Sequence, residues 1–171
     1  MRHSRHYSLA ITLFLLLVST TTHAKIPAQK KHRSLAYQFL VPQNAARSAV
    51  KLRSLVWDTK LEQYAKSYAN QRRNDCALEH SKGPYGENIF WGSGTGWKPA
   101  QAVKAWVEEV QWYNYSENSC ADGQMCGHYT QIVWNTTTKV GCASVTCIDD
   151  KGTFMTCNYD PPGNYYGERP Y

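Results

Sequence analysis

After its first residues the sequence has no further long apolar run. It also has no closely spaced cysteine pairs and no dense stripe of lysine and arginine. Each absence excludes something. Crossing a bilayer takes about 20 apolar residues, so no transmembrane helix is available beyond the N-terminus. A zinc site built from thiolate pairs needs cysteines two residues apart, and none are so placed. Without a basic stripe, the positive balance does not point to nucleic acid as a partner. The glycines in 92–96 lack a following Lys-Ser/Thr step and read as a plain loop rather than a phosphate cradle.

Arg2 and Arg5 precede an apolar core at 9–18, and Thr22-His23-Ala24 ends on a small residue. That pattern reads as a signal peptide over 1–24, because the core is too short for a stable span. Its removal leaves 147 residues and lowers the net charge from +6 to +4. This length suits one domain, expected to be secreted and monomeric. Residues 25–37 show no periodicity and read as a flexible segment carrying the basic cluster Lys30-Lys31-His32-Arg33. All six cysteines fall within 76–157, and in a secreted chain they imply three disulfides.

A helix is expected from Phe39, provided that Pro42 falls in its first turn; otherwise proline kinks it. The segment 58–73 is the clearest helix. Leu61, Tyr64, Ala65, Tyr68 and Ala69 repeat on one face, and Asp58 or a Thr59/Glu62 capping box starts it. Pro99 opens another, with Ala102, Val103, Trp106, Val107 and Val110 on its buried face. At about 100° per residue, Glu108 points away from that face, whereas Glu109 sits at its edge and reaches over the core. Strand candidates are 130–135, 139–147 and 153–159.

The last two strands form a hairpin about the loop 148–151, and that register places Cys142 opposite Cys157. Cys120 and Cys126 bracket five residues and close a small ring, which leaves Cys76 for Cys147. Early helices followed by late strands indicate an α+β domain rather than a doubly wound parallel sheet. Within the patterned region the only histidines are His80 and His128. The second sits at the mouth of the strand Ile132-Val133-Trp134, and the two imidazoles are expected to share one cleft.

Four segments carry a resemblance: Cys76-Ala77-Leu78-Glu79-His80-Ser81, Gly86-Glu87-Asn88-Ile89, Cys126-Gly127-His128-Tyr129-Thr130-Gln131-Ile132-Val133-Trp134, and Cys157-Asn158-Tyr159-Asp160-Pro161-Pro162-Gly163-Asn164. In this order, with six cysteines, they resemble the CAP superfamily and within it the basic group-1 pathogenesis-related proteins of plants. The likeness runs from Phe39 to Tyr171. It implies a CAP domain over 38–171, folded as a single α–β–α sandwich with a central antiparallel sheet and three disulfides. It also implies a tetrad lining a central cleft, which maps to His80, Glu87, Glu109 and His128. One position departs: many relatives have a histidine where this chain has Gln43, before Asn44-Ala45-Ala46-Arg47.

Two imidazoles and two carboxylates can ligate zinc or another divalent metal, shuttle protons in a hydrolase, or form a hydrogen-bonded network joining helix to sheet. Residue types leave all three open, and no cofactor is required. No serine or cysteine nucleophile with a dedicated base is evident, so a hydrolase is the alternative rather than the leading expectation. The resemblance further implies defence against fungi or oomycetes through binding of sterol or lipid from pathogen membranes, by an aromatic loop that maps to Trp112, Tyr113 and Tyr115. It also implies a C-terminal signalling peptide, 161–171, cut between Asp160 and Pro161 and read by a receptor. The location implied is the apoplast or the vacuole. Glycosylation sequons start at Asn114 and Asn135, and a glycan at Asn114 would crowd a flat ligand.

Overall fold

The computed structural model describes Met1 and residues 34–171. Residues 2–33, where the signal peptide and most of the basic segment are expected, lie outside the described residues. Helix α1, Leu35–Ala49, starts earlier than expected, with the Ser34 hydroxyl accepting from the Tyr37 N–H at 3.2 Å. The segment taken as flexible to residue 37 is therefore helical from Leu35. Pro42 consequently lies inside the helix rather than in its first turn. The helix continues past it because Phe39, Gln43 and Arg47 bury one face, and that packing outweighs a lost backbone bond.

The remaining elements are β1 (Val56–Trp57), α2 (Thr59–Arg72), β2 (Gly86–Ser93), α3 (Pro99–Glu108), β3 (Tyr113–Asn114), β4 (Ser119–Cys120), α4 (Gly127–Ile132), β5 (Lys139–Thr146) and β6 (Gly152–Asp160). The main sheet has the order β1-β5-β6-β2. Its β5–β6 and β2–β6 pairs are antiparallel, and the two-residue β1 is parallel to β5. Cys142 does face Cys157, and the disulfides are Cys142–Cys157, Cys120–Cys126 and Cys76–Cys147.

Alternation along the hairpin assigns the two faces. Val140, Cys142, Met155, Cys157 and Tyr159 pack with Phe39, Val103 and Trp106 in one buried cluster. Ala143, Val145 and Phe154 pack with Ala65 and Ala69 of α2 in another. The sheet is covered on both sides, as an α–β–α sandwich requires. Helix α2 lies so close to β5 that a Cβ on Gly141 would fall 2.1 Å from the Glu62 backbone nitrogen and 2.5 Å from the Leu61 carbonyl carbon. Only glycine permits that approach.

Two expectations fail here. Residues 86–93, outside the three strand candidates and running into the expected glycine loop at 92–96, form the edge strand β2, paired with β6 from Gly86↔Tyr159 to Ser93↔Gly152. Glycines at 86 and 92 obscure its pattern, and each lies close under a side chain: a Cβ at 86 would meet Gln131 and one at 92 would meet Trp97. Residues 130–135, taken as a strand, belong instead to the short helix α4 and the turn after it. The six residues of α4 would not hold a helix alone. Carboxylate at one end and guanidinium at the other make up the difference. Glu109 accepts from the His128 and Tyr129 N–H groups at 2.9 and 3.1 Å. Buried Arg47 donates to the carbonyls of Ile132, Trp134 and Thr137 at 2.9, 2.8 and 3.0 Å.

Candidate functional site

His128 therefore stands in the first turn of a helix, not at the mouth of a strand. Its Nδ1 lies 2.5 Å from Glu109 Oε1. A carboxylate oxygen only accepts, so Nδ1 carries the proton and donates. The same Glu109 side chain caps the helix, which explains why it is 12% exposed while Glu108, paired with Lys104, is 56% exposed. The imidazole stacks on Trp106 with centroids 6.0 Å apart, and its backbone carbonyl accepts from Asn88 Nδ2 at 3.0 Å.

His80 has a parallel arrangement. Its Nδ1 is 2.9 Å from Glu87 Oε1, which also accepts the Ser81 N–H at 2.8 Å, while Oε2 accepts from Asn158 Nδ2 at 3.1 Å. The bond to Glu87 raises the His80 pKa against the opposing effect of burial. For Glu87 burial pushes upward, but the bonds from His80, Ser81 and Asn158 outweigh it and leave the carboxyl below its ordinary value. The Glu87 side chain is 5% exposed and that of His80 58%. The carboxylate is thus a buried anchor and the ring is the accessible part.

Gln43, the departing position, is buried and joins this scaffold. It accepts from the Tyr159 hydroxyl at 2.8 Å, and that hydroxyl accepts from Asn88 Nδ2 at 3.2 Å. One chain of bonds therefore runs from α1 through β6 and β2 to the backbone of His128. Burial pushes the Tyr159 pKa well up, keeping the hydroxyl a neutral donor.

The four side chains line two adjoining hollows. The larger, about 470 Å³, takes in His80, His128 and Glu109, with walls of Leu78, Ile89, Phe90, Trp91 and Trp106. The smaller, about 270 Å³, includes His80, Glu87, Asn88 and His128. Among the described residues no three His, Cys, Asp or Glu side chains gather closely enough to hold a metal ion. Each carboxylate is engaged by an imidazole Nδ1 and by backbone or amide N–H groups, so the tetrad does not fit a four-ligand metal centre. The Nε2 atoms of both rings have no hydrogen-bond partner among the described residues. An imidazole backed by a carboxylate is the usual way of presenting Nε2 to a metal.

The aromatic loop lies elsewhere. Trp112, Tyr113 and Tyr115 are absent from the lining of the apolar cleft, and Tyr113 instead borders a separate hollow beside Cys120–Cys126. Tyr115 stacks on Tyr171, centroids 4.7 Å apart at 15°. Asn114 and Asn135 are both exposed.

The C-terminal segment is docked. Gly163 N–H donates to Gln131 Oε1 at 3.0 Å, Asn164 bonds Thr130 and Gly127, and Glu168 O accepts from Asn118 at 3.0 Å. Arg169 donates to the Ser116 carbonyl at 3.0 Å, Pro170 O accepts the Asn135 N–H at 2.6 Å, and the Tyr171 and Tyr129 hydroxyls lie 3.2 Å apart. Sequence reasoning allows a terminal arm packed on the sheet by Tyr165 and Tyr166; Tyr165 does meet Trp134 edge-on, but Tyr166 is exposed and the hydrogen bonds come from the residues around them. The apolar wall of Phe90 and Trp91 was not anticipated. The apolar run Ile89-Phe90-Trp91 was the signal that could have exposed that wall.

Comparison with known proteins agrees with this fold. The model for CAP, the cysteine-rich secretory protein family, matches residues 41–159. Pathogenesis-related protein PR-1 of Medicago truncatula is 72% identical over 95% of this chain and 96% of its own length. Pathogenesis-related protein PRMS of Zea mays is 53% identical over 95% and 96%. Among solved structures, NaASP2 with Zn2+ superposes with a TM-score of 0.66 at 29% identity, covering 81% of this chain and 86% of that one. The family match spans both histidines, both glutamates and all six cysteines, and the relatives extend it over nearly the whole sequence: this chain belongs to the CAP family of cysteine-rich secretory proteins.

Proposed function

We propose that this chain is a secreted plant defence protein that acts on fungal or oomycete pathogens by holding a sterol or lipid from their membranes. The observation that carries the reading is the cleft of about 470 Å³, walled by Leu78, Ile89, Phe90, Trp91 and Trp106, with His80, Glu109 and His128 as its few polar groups. Pockets of this size with apolar walls and a few polar groups suit small apolar ligands. Near-full-length relatives named as pathogenesis-related proteins support the defensive role. Three disulfides suit an oxidising compartment such as the apoplast or vacuole, and no helix of the described residues is long and apolar enough to cross a membrane.

A sterol-binding assay on unglycosylated protein tests this and separates two sites. Binding in the cleft is weakened by Phe90→Asp and indifferent to Trp112→Ala with Tyr115→Ala; binding at the aromatic loop shows the reverse. No saturable binding in the wild type ends the proposal. A signalling role for 161–171, received by a membrane receptor, is compatible with the same fold and is tested by mass spectrometry of extracellular fluid.

The two partnerless Nε2 atoms favour a second reading, an open divalent-metal site. His80 and His128 would supply the ligands, Glu87 and Glu109 would orient them, and the remaining positions would be left to water. Zinc bound there would supply a Lewis acid beside the apolar wall. Calorimetry decides it: equal zinc heats for the wild type and a His80→Ala, His128→Ala double variant rule the site out. Neither imidazole bonds a hydroxyl or thiol among the described residues, which favours binding over hydrolysis.

A further inference from the structure

The chain has three methionines in very different surroundings. Met155 is 0% exposed in the core beneath α1 and α3, and Met1 opens the sequence. Met125 is 65% exposed. It precedes Cys126 inside the ring closed by Cys120–Cys126, so its loop is held at both ends. Three side chains line both hollows of the site, and they are His80, His128 and Met125. Its thioether therefore stands where the apolar cleft meets the imidazole end. All six cysteines are in disulfides. Within residues 34–171 Met125 is the reduced sulfur open to solvent.

We propose that Met125 is an oxidation-sensitive wall of the cleft, and that its conversion to the sulfoxide by a peroxide lowers the affinity for an apolar ligand. The inference rests on the reading of the cleft as a sterol or lipid site. The step balances simply. The thioether lone pair attacks one peroxide oxygen, an S–O bond forms, the O–O bond breaks, and hydrogen peroxide leaves as water. Sulfur loses two electrons and the peroxide gains them. A flexible, polarizable apolar group becomes a polar one with a strong acceptor oxygen. Bound ligand would have to cover that oxygen without offering it a hydrogen bond, which weakens binding by about tenfold to a hundredfold. The change is reversible, because methionine sulfoxide is a substrate for dedicated reductases.

The test combines graded hydrogen peroxide, peptide mapping for one added oxygen, and titration with the fluorescent sterol dehydroergosterol. The expected result is that oxygen enters at Met125 well before Met155, that affinity falls in step with Met125 sulfoxide, and that methionine sulfoxide reductase restores it. In Met125→Leu the ratio of affinities before and after peroxide becomes one. Full oxidation of Met125 with unchanged sterol affinity overturns the inference while leaving the cleft reading intact, as does an equal loss in Met125→Leu. Absence of binding by the unoxidised wild type overturns both.

Discussion

Replacing Glu109 by glutamine separates a carboxylate that ligates from one that orients. In the structure, Oε2 accepts both the His128 and the Tyr129 N–H, and Oε1 accepts from His128 Nδ1. The glutamine carbonyl can keep the backbone pair, so α4 should remain capped. What is lost is the charge at the helix N-terminus and the charge-assisted part of each bond, together about 1–2 kcal/mol. For a domain of this size Tm should fall by about 2–8 °C. The amide nitrogen then faces Nδ1 and can only donate. Nδ1 must become the acceptor, so the proton moves to Nε2. That removes the lone pair directed at the cleft, and zinc affinity should drop by about tenfold to a hundredfold. Long-range nitrogen–proton NMR on labelled histidine reads the tautomer directly, with or without metal. If His128 keeps its proton on Nδ1 in Glu109→Gln, the orienting role assigned to the carboxylate is wrong.

Other perturbations test the scaffold and the second pair. Arg47 is buried with four backbone carbonyls as acceptors, Arg53 O at 2.7 Å completing the set, and desolvation lowers its pKa. Arg47→Met should cost about 3 kcal/mol in chemical denaturation, since each carbonyl loses a charged donor; a loss below about 1 kcal/mol would contradict that accounting. Gly141→Ala forces α2 off β5 and should cost about 3 kcal/mol or more, seen as a lower thermal midpoint with intact disulfides. His80 has a raised pKa and Glu87 a lowered one, so their bond contributes fully between the ordinary values, about pH 4.5 to 6.5. The contribution fades as pH rises through the folded His80 value or falls through the folded Glu87 value. NMR titration should place His80 above an unpaired histidine and return it toward normal in Glu87→Gln; an unchanged midpoint would show that the pair does not set it.

Local patterning reached as far as local forces do. The apolar stripe of α2 and the N-cap Asp58, which accepts the Lys60 and Leu61 N–H groups, are readable from neighbouring residues. Hairpin length alone sets Cys142 against Cys157, and helical phase alone separates Glu109 from Glu108. Helix α4 was misread because Thr130, Ile132 and Val133 favour strands, while the groups that make it helical are Glu109 and Arg47, distant in sequence. Strand β2 was missed because its glycines answer to Gln131 and Trp97, contacts that exist only after folding. The pairing of each carboxylate with one imidazole was equally out of reach, since residue types are the same for a ligand set and for two separate dyads.

The docked C-terminal segment has a kinetic consequence. Its aromatic stack, side-chain bonds and main-chain contacts surround α4 and the β3–β4 hairpin, and none of them depends on an unbroken link between Asp160 and Pro161. Cutting that link would turn a tethered contact, at an effective concentration in the millimolar range, into an ordinary bimolecular complex. The freed peptide would leave at its own dissociation rate. Hydrolysis would start a clock, and the Tyr115–Tyr171 stack would help to set how long it runs.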